Sequence, residues 1–167
     1  SLGWSVTYLN PTENGSIDVE DVKAAIQSNT VLISLLLVNN ELGTITDYEA
    51  LRTLAEKHQI TFHSDATQAI GKIDLQGKQL PHLMSISGHK VYGPKGIGAL
   101  IGQTGVKILP IVFGGDQERG IRSGTLAVQQ IIGLAASFKI IPELLNHAQL
   151  LAQFKSRITQ AIPKQWK

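Results

Sequence analysis

Asp65 and Lys90, 25 residues apart, are the side chains whose types and setting first suggest chemistry. Lys90 follows an apolar run, Leu83 to Ile86, that reads as a buried strand. Gly88 stops that strand and permits an unusual backbone angle or the close approach of another group. The turn Gly93-Pro94-Lys95-Gly96 then reverses the chain into a second apolar run, Ile97 to Ile101. An amine delivered at the end of a buried strand becomes a nucleophile when burial or a neighbouring cation lowers its pKa, and its usual product with an aldehyde is a Schiff base. A lysine beside a Gly-rich turn is more often a solvated surface charge, and Lys95 is read that way.

The partner stretch is Phe62-His63-Ser64-Asp65-Ala66-Thr67-Gln68. Ile60 to His63 reads as a strand that ends at the Asp65 carboxylate, at a spacing suited to a neighbouring strand of the same sheet. The plain alternative for Asp65 is a turn or helix cap, given the small Ala66-Thr67 that follow. A cofactor with a pyridine nitrogen needs an acid to keep that nitrogen protonated, and an aldehyde needs an amine. Pyridoxal 5'-phosphate meets both demands, with Asp65 on the ring nitrogen and Lys90 on the aldehyde.

The elements that must position these groups follow from the hydrophobic pattern. Trp4 to Leu9 alternates as a strand, and Asn10-Pro11 and Asn14-Gly15 mark turns. Asp18 caps a helix with Val19, Val22 and Ile26 on one face; Asp47 caps a second with Leu51, Leu54, Ala55 and His58. Val31 to Val38 is apolar on both faces, as expected of a strand buried between helix layers. Strand, helix, strand, helix, strand is the order of an α/β fold with parallel strands and right-handed crossovers. Further on, a short strand is expected at Ile73 to Leu75 and an edge strand at Lys107 to Phe113, which contains Pro110. A polar loop, Asp116 to Gly124, precedes a helical pattern through Leu126, Ile131, Leu134, Ala135 and Phe138, then Leu144, Leu151, Phe154 and Ile158. Pro142 should kink it or break it into two helices.

Composition excludes several classes. The 167 residues suffice for one domain with a core, and 43% hydrophobic with 17% charged residues is ordinary for a globular chain. A net charge of +2 without a basic cluster argues against nucleic acid. Val31 to Val38 is too short to span a bilayer, no signal segment opens the chain, and no membrane association is expected. There is no cysteine, which excludes disulfides and thiolate metal sites. His58, His82 and His147 lack ligand spacing, and no metal is expected.

Four segments carry a resemblance: Val38-Asn39-Asn40-Glu41-Leu42-Gly43, His63-Ser64-Asp65-Ala66-Thr67-Gln68, Ser87-Gly88-His89-Lys90-Val91-Tyr92-Gly93-Pro94-Lys95-Gly96, and Glu118-Arg119-Gly120-Ile121-Arg122-Ser123-Gly124-Thr125. In this order and spacing, from about Trp4 to about Phe138, the chain resembles the cysteine desulfurases, pyridoxal-phosphate enzymes of the class V aminotransferase group. The resemblance implies that Lys90 holds the cofactor and moves protons on the substrate, and that Asp65 pairs with the ring nitrogen. It makes Gln68 a donor to the ring hydroxyl and gives Ser87 and His89 to the phosphate. Asn40 would orient the substrate carboxylate or the ring hydroxyl, although a turn asparagine is an equally ordinary reading. Thr125 would reach the phosphate of another subunit across a two-fold interface, which implies a homodimer; locally Ser123-Gly124-Thr125 also reads as an ordinary helix start.

The implied fold is a mostly parallel sheet with flanking helices. It would be part of the large domain of an aminotransferase-type fold, with residues 1–140 in that domain and 141–167 as a helix leading toward a small C-terminal domain. The implied reaction removes sulfur from L-cysteine, leaving alanine and a protein persulfide for iron–sulfur assembly and thiolation, with a sulfur acceptor or iron–sulfur scaffold protein as partner. This chain has no cysteine to take the sulfur and lacks the family's N-terminal third. It is therefore expected to be an internal fragment and inactive alone. A selenocysteine lyase or aminotransferase of the same class, or a non-catalytic chain acting only in dimerisation, are the competing readings; the Ser-Gly-His-Lys and Arg-Ser-Gly-Thr motifs favour the desulfurase branch. A cytoplasmic location is expected, and an organellar one stays open.

Overall fold

Two aspartates start the first two helices. The Asp18 carboxylate accepts the Glu20 N–H at 2.9 Å and opens α1 (Val19–Ala25); that of Asp47 accepts the Ala50 N–H at 3.1 Å and opens α2 (Tyr48–Lys57). Each satisfies a donor that the first helical turn leaves without a partner. Leu51, Leu54 and Ala55 are buried as their spacing requires, while His58 lies past the last turn as an exposed C-cap.

The computed structural model describes residues 3–163, and its strands form one four-stranded sheet. Its order is β1 (Leu32–Leu36), β2 (Thr61–Asp65), β3 (Leu83–Ser87), β4 (Gly98–Gly102). The first three strands are parallel, and β4 returns antiparallel to β3 through the Gly93-Pro94 turn. The fold is thus the mostly parallel α/β class expected.

Strand parity divides the sheet into two faces. Ile33, Phe62, Ser64, Met84 and Ile86 share the packed face, and the four apolar ones join the cluster that includes Leu51, Leu54 and Ala55 of α2. Phe62 and Ser64 are fully buried, and the Ser64 hydroxyl is satisfied by donating to the Leu35 carbonyl at 2.9 Å. The opposite face carries Leu32, Ser34, Leu36, His63, Asp65, Ser85 and Ser87, none of them buried. Beyond β4, Pro142 near the start of α4 (Ile141–Asn146) separates α3 (Val128–Phe138) from α5 (Ala148–Ala161), so the break falls where proline demands it, with a short helix between the two long ones. No single helix among the described residues is long and apolar enough to cross a membrane.

Five expectations about elements are corrected. Residues 4–10 belong to no strand or ladder, leaving Trp4 69% and Tyr8 88% exposed. Alternation alone does not make a strand, which needs a neighbour to pair with. The Val31–Val38 run forms a strand over Leu32–Leu36 alone, and as the first strand of the sheet it leaves Leu32 52% exposed instead of buried on both sides. Ile73 to Leu75 is turn and irregular chain. Lys107 to Phe113 contributes one parallel bridge, Val112 to Arg122, with Leu109, Ile111 and Phe113 exposed. The helix expected from Ser123-Gly124-Thr125 begins later, at Val128, without a side-chain cap.

Candidate cofactor site

Parallel pairing puts the C-terminal ends of β1, β2 and β3 at one edge, where ligands of open α/β sheets bind. Asp65 is the last residue of β2 and stands opposite Leu36 on one side and Ser85 on the other. Ser87 is two residues beyond Ser85 and therefore shares the open face with Asp65. The structure brings Asp65, Ser87, His89 and Lys90 to the same edge.

The Asp65 carboxylate is half-buried. Its Oδ1 accepts the Thr67 N–H at 2.8 Å, so Oδ2 is the oxygen left for a ligand. The cap reading and the ligand reading of Asp65 are therefore compatible, one oxygen serving each. Ser87 Oγ and His89 Nδ1 lie 3.0 Å apart. Either can be the donor, and the consequence is the same. If the serine donates, the His89 Nε2–H remains; if the histidine donates, the Ser87 O–H remains. The pair always keeps a donor for an anion.

The loop that presents Lys90 is tightly built. Gly88–Lys90 forms one 3-10 turn, and the Gly88 carbonyl accepts the N–H groups of both Val91 (3.0 Å) and Gly93 (2.9 Å). A side chain at Gly88 would meet Ile97 Cγ2 at 2.9 Å and two carbonyls at 3.1 Å, so glycine is required by close approach. From outside, α3 clamps the same loop. The Gln130 amide donates to the Lys95 carbonyl at 3.0 Å, and Gly133 lies where a Cβ would press on Pro94 Cγ at 2.5 Å. Val91 is buried beneath, while the side chains of His89 and Lys90 stay exposed at the surface.

Gln68 sits in the turn after β2, and its Oε1 accepts from the Lys72 amine. Burial and, second, the positive charge of Lys90 lower the Lys72 pKa, which puts the two lysines in electrostatic reach of one another. At the end of β1 the Asn39 side chain, not that of Asn40, makes the turn, with its Oδ1 accepting the Glu41 and Leu42 N–H groups at 2.9 and 2.8 Å. Asn40 is exposed next to it. Thr125 is also exposed, on the irregular stretch before α3, and is not drawn into the cluster. His63 is on the open face, bonded through Nδ1 to Ser34 Oγ at 2.8 Å.

Two features of this edge were not foreseen from the sequence. The Ser34–His63 pair joins β1 to β2 beside Asp65, and strand parity around His63 was the signal that would have placed it there. Lys72 carried no signal beyond its distance of four residues from Gln68, a spacing that matters on helices and is met here in a turn.

The donor set matches a phosphorylated pyridine aldehyde: an acceptor oxygen for a ring N–H, an amine, an amide, and a hydroxyl–imidazole pair. Comparison with known proteins gives the family. The class-V aminotransferase family model matches residues 1–164. Cysteine desulfurase IscS of Mannheimia succiniciproducens is 48% identical over 144 residues, which cover 84% of this chain and 36% of that protein. Among solved structures, DndA from Streptomyces lividans superimposes with a TM-score of 0.85 at 36% identity, covering 98% of this chain and 48% of that one. SspA in complex with cysteine gives 0.77 at 43% identity, covering 83% and 41%. The chain spans well under half the length of the curated relatives it matches.

Proposed function

The chain belongs to the class-V aminotransferase family, and on that premise we propose that it supplies the lysine side of a pyridoxal-phosphate site in a cysteine desulfurase. The family is pyridoxal-phosphate dependent, and the relatives named above include a cysteine desulfurase and a protein solved with cysteine. The observation that carries the reading is the common edge of β2 and β3, with Asp65, Ser87, His89 and Lys90 on it.

When bound, the cofactor supplies an electron sink through its protonated ring. The rest is work for this chain's own side chains. Lys90 Nζ would hold the aldehyde and, once free, would take and return a proton at that nitrogen. Asp65 Oδ2 would keep the ring nitrogen protonated by accepting its hydrogen. The Gln68 amide would donate to the ring oxygen, and whichever donor the Ser87–His89 pair has spare would meet the phosphate. Asn40, in the turn after β1, would orient the substrate carboxylate or the ring hydroxyl. Thr125, exposed away from the cluster, fits a role toward the phosphate of a second subunit in a homodimer. With no cysteine in this chain, the thiol that takes sulfur from L-cysteine belongs outside it. A sulfur-acceptor or iron–sulfur scaffold protein is the partner class this chemistry requires, and a cytoplasmic setting is part of the proposal.

The test is borohydride trapping of the purified chain with pyridoxal phosphate, followed by peptide mass mapping. The expected outcome is a pyridoxyl adduct concentrated at Lys90 and lost in Lys90→Ala. Adducts spread over Lys95, Lys107 and other exposed amines would mean that no organised site exists here.

A further inference from the structure

Lys72 has no part in the site as read from the motifs, yet two independent features tie it there. First, its amine donates to Gln68 Oε1. An ammonium has three donors and no acceptor, so it can meet the carbonyl end of an amide and not the NH2 end. Second, the backbone next to Lys72 is packed beneath the lysine loop. Gly71 is buried in a left-handed conformation (φ +75°) between α4 and the lysine loop, where a Cβ would lie 3.2 Å from Leu144 Cδ1 and 3.7 Å from Cγ1 of Val91, the residue after Lys90. Two further bonds to the Ala69 carbonyl, from the Lys72 N–H at 3.0 Å and the Ile73 N–H at 3.1 Å, hold the turn.

We propose that Lys72 is a positioning residue. Its amine fixes the Gln68 amide with the oxygen turned to Lys72 and the NH2 group left to face the cofactor's ring oxygen. Without that contact the amide is free to rotate by half a turn and present its oxygen instead, an acceptor facing an acceptor. Lys72 itself is exposed, and its pKa is lowered by partial desolvation and then by the charge of Lys90, which places the two amines in electrostatic reach. The inference rests on the cofactor reading above, and it adds a residue that acts through Gln68 without touching the ring.

The experiment compares the full chain with Lys72→Met, Lys72→Arg, Gln68→Ala and the Lys72→Met/Gln68→Ala double variant, each bound to pyridoxal phosphate. The absorption spectrum and the dissociation constant of the bound cofactor are the readouts. Lys72→Met should weaken binding about threefold to tenfold and move the absorption bands in the same direction as Gln68→Ala. The double variant should match Gln68→Ala alone, since neighbours acting through one contact are not additive, and Lys72→Arg should restore most of the parent spectrum. A Lys72→Met spectrum and affinity identical to the parent, or effects that simply add, would overturn the proposal. A cofactor-free measurement separates this failure from failure of the site itself. In the unloaded chain, the Gln68 side-chain amide resonance, identified by its loss in Gln68→Ala, should move in Lys72→Met and stay in place in Lys72→Arg. If that holds while trapping at Lys90 fails, Lys72 orients the amide but the cofactor reading is wrong. If the resonance does not move, the positioning role is wrong whatever the cofactor does.

Discussion

The two faces of the sheet are made by alternate residues of the same strands, and they have been put to opposite uses. Along β2, Phe62 and Ser64 point into the core, where one is purely apolar and the other has its hydroxyl bonded to a backbone carbonyl. His63 and Asp65, between and after them, point to the open face and keep bonding capacity to spare. β3 repeats the division, with Met84 and Ile86 packed and Ser85 and Ser87 open. A reactive residue on such a strand costs little stability, because the neighbour that secures the strand looks the other way. The same parity leaves the open face without a second core: among the described residues its strand side chains are mostly polar, Leu32 and Leu36 are exposed, and Leu83 is half-buried.

The sharpest way to break this comparison is to cut one residue from each face. Phe62→Ala removes a fully buried ring and should cost about 3–5 kcal/mol, enough to abolish cooperative melting of a marginally stable chain. Asp65→Ala should cost about 1 kcal/mol, the worth of the one bond it accepts from the Thr67 N–H, while ending selective capture of pyridoxal phosphate at Lys90. Thermal melts and trapping on the two variants should give mirror-image results. Equal destabilisation by both would show that the open face is structural after all.

A second test separates presentation of the lysine from the sheet beneath it. Gly133 of α3 lies against Pro94, with no room for a Cβ. Gly133→Val should overpack that contact at a cost of about 1–3 kcal/mol and displace the Gly88–Gly96 loop. Selectivity of trapping for Lys90 should fall toward that of exposed lysines, while hydrogen-exchange protection of β1 and β2 is kept. Retained selectivity would mean that the loop is held by its own bonds to Gly88 alone.

What could be read from the sequence follows the same line. The helix caps at Asp18 and Asp47, the strands ending at Asp65 and Ser87, the reversal at Gly93-Pro94 and the break at Pro142 are all local chemistry, and all stand where their residue types put them. The misplaced strands share a different cause. Residues 4–9 and 107–113 have the alternating or apolar composition of strands, but pairing depends on a neighbour far along the chain, and periodicity says nothing about that. At the site, the strand-end residues were legible because parallel strands must deliver their ends to one edge. The Gln68–Lys72 contact, the Ser34–His63 pair and the α3 clamp depend on tertiary packing and were not. Thr125 is exposed on the irregular stretch before α3, away from the strand-end cluster.

The smallest effect concerns the far end of the strands and tests whether the division extends there. The Phe62 N–H, at the start of β2, donates to His82 Nδ1 at 2.9 Å, so the neutral imidazole holds the backbone of the strand that ends at Asp65. Burial, then the Arg52 cation, push the His82 pKa below its ordinary 6.5, and nearby Glu56 opposes the shift more weakly. Because the folded pKa is the lower one, the unfolded chain takes up a proton first as pH falls. The stabilisation is therefore complete above pH 6.5 and is lost as pH drops from there through the lower folded value. Protonation of Nδ1 also removes an acceptor worth about 1 kcal/mol, so the melting temperature should fall by about 2–4 °C across that window. His82→Asn, whose side-chain oxygen can take the same N–H without titrating, should flatten this part of the profile. Trapping at Lys90 in the variant should match the parent at neutral pH, since His82 serves the strand and lies away from the cofactor edge. A parallel loss of trapping would mean that the two ends of β2 are coupled, and that stability and chemistry on this sheet are less separate than the parity of its strands implies.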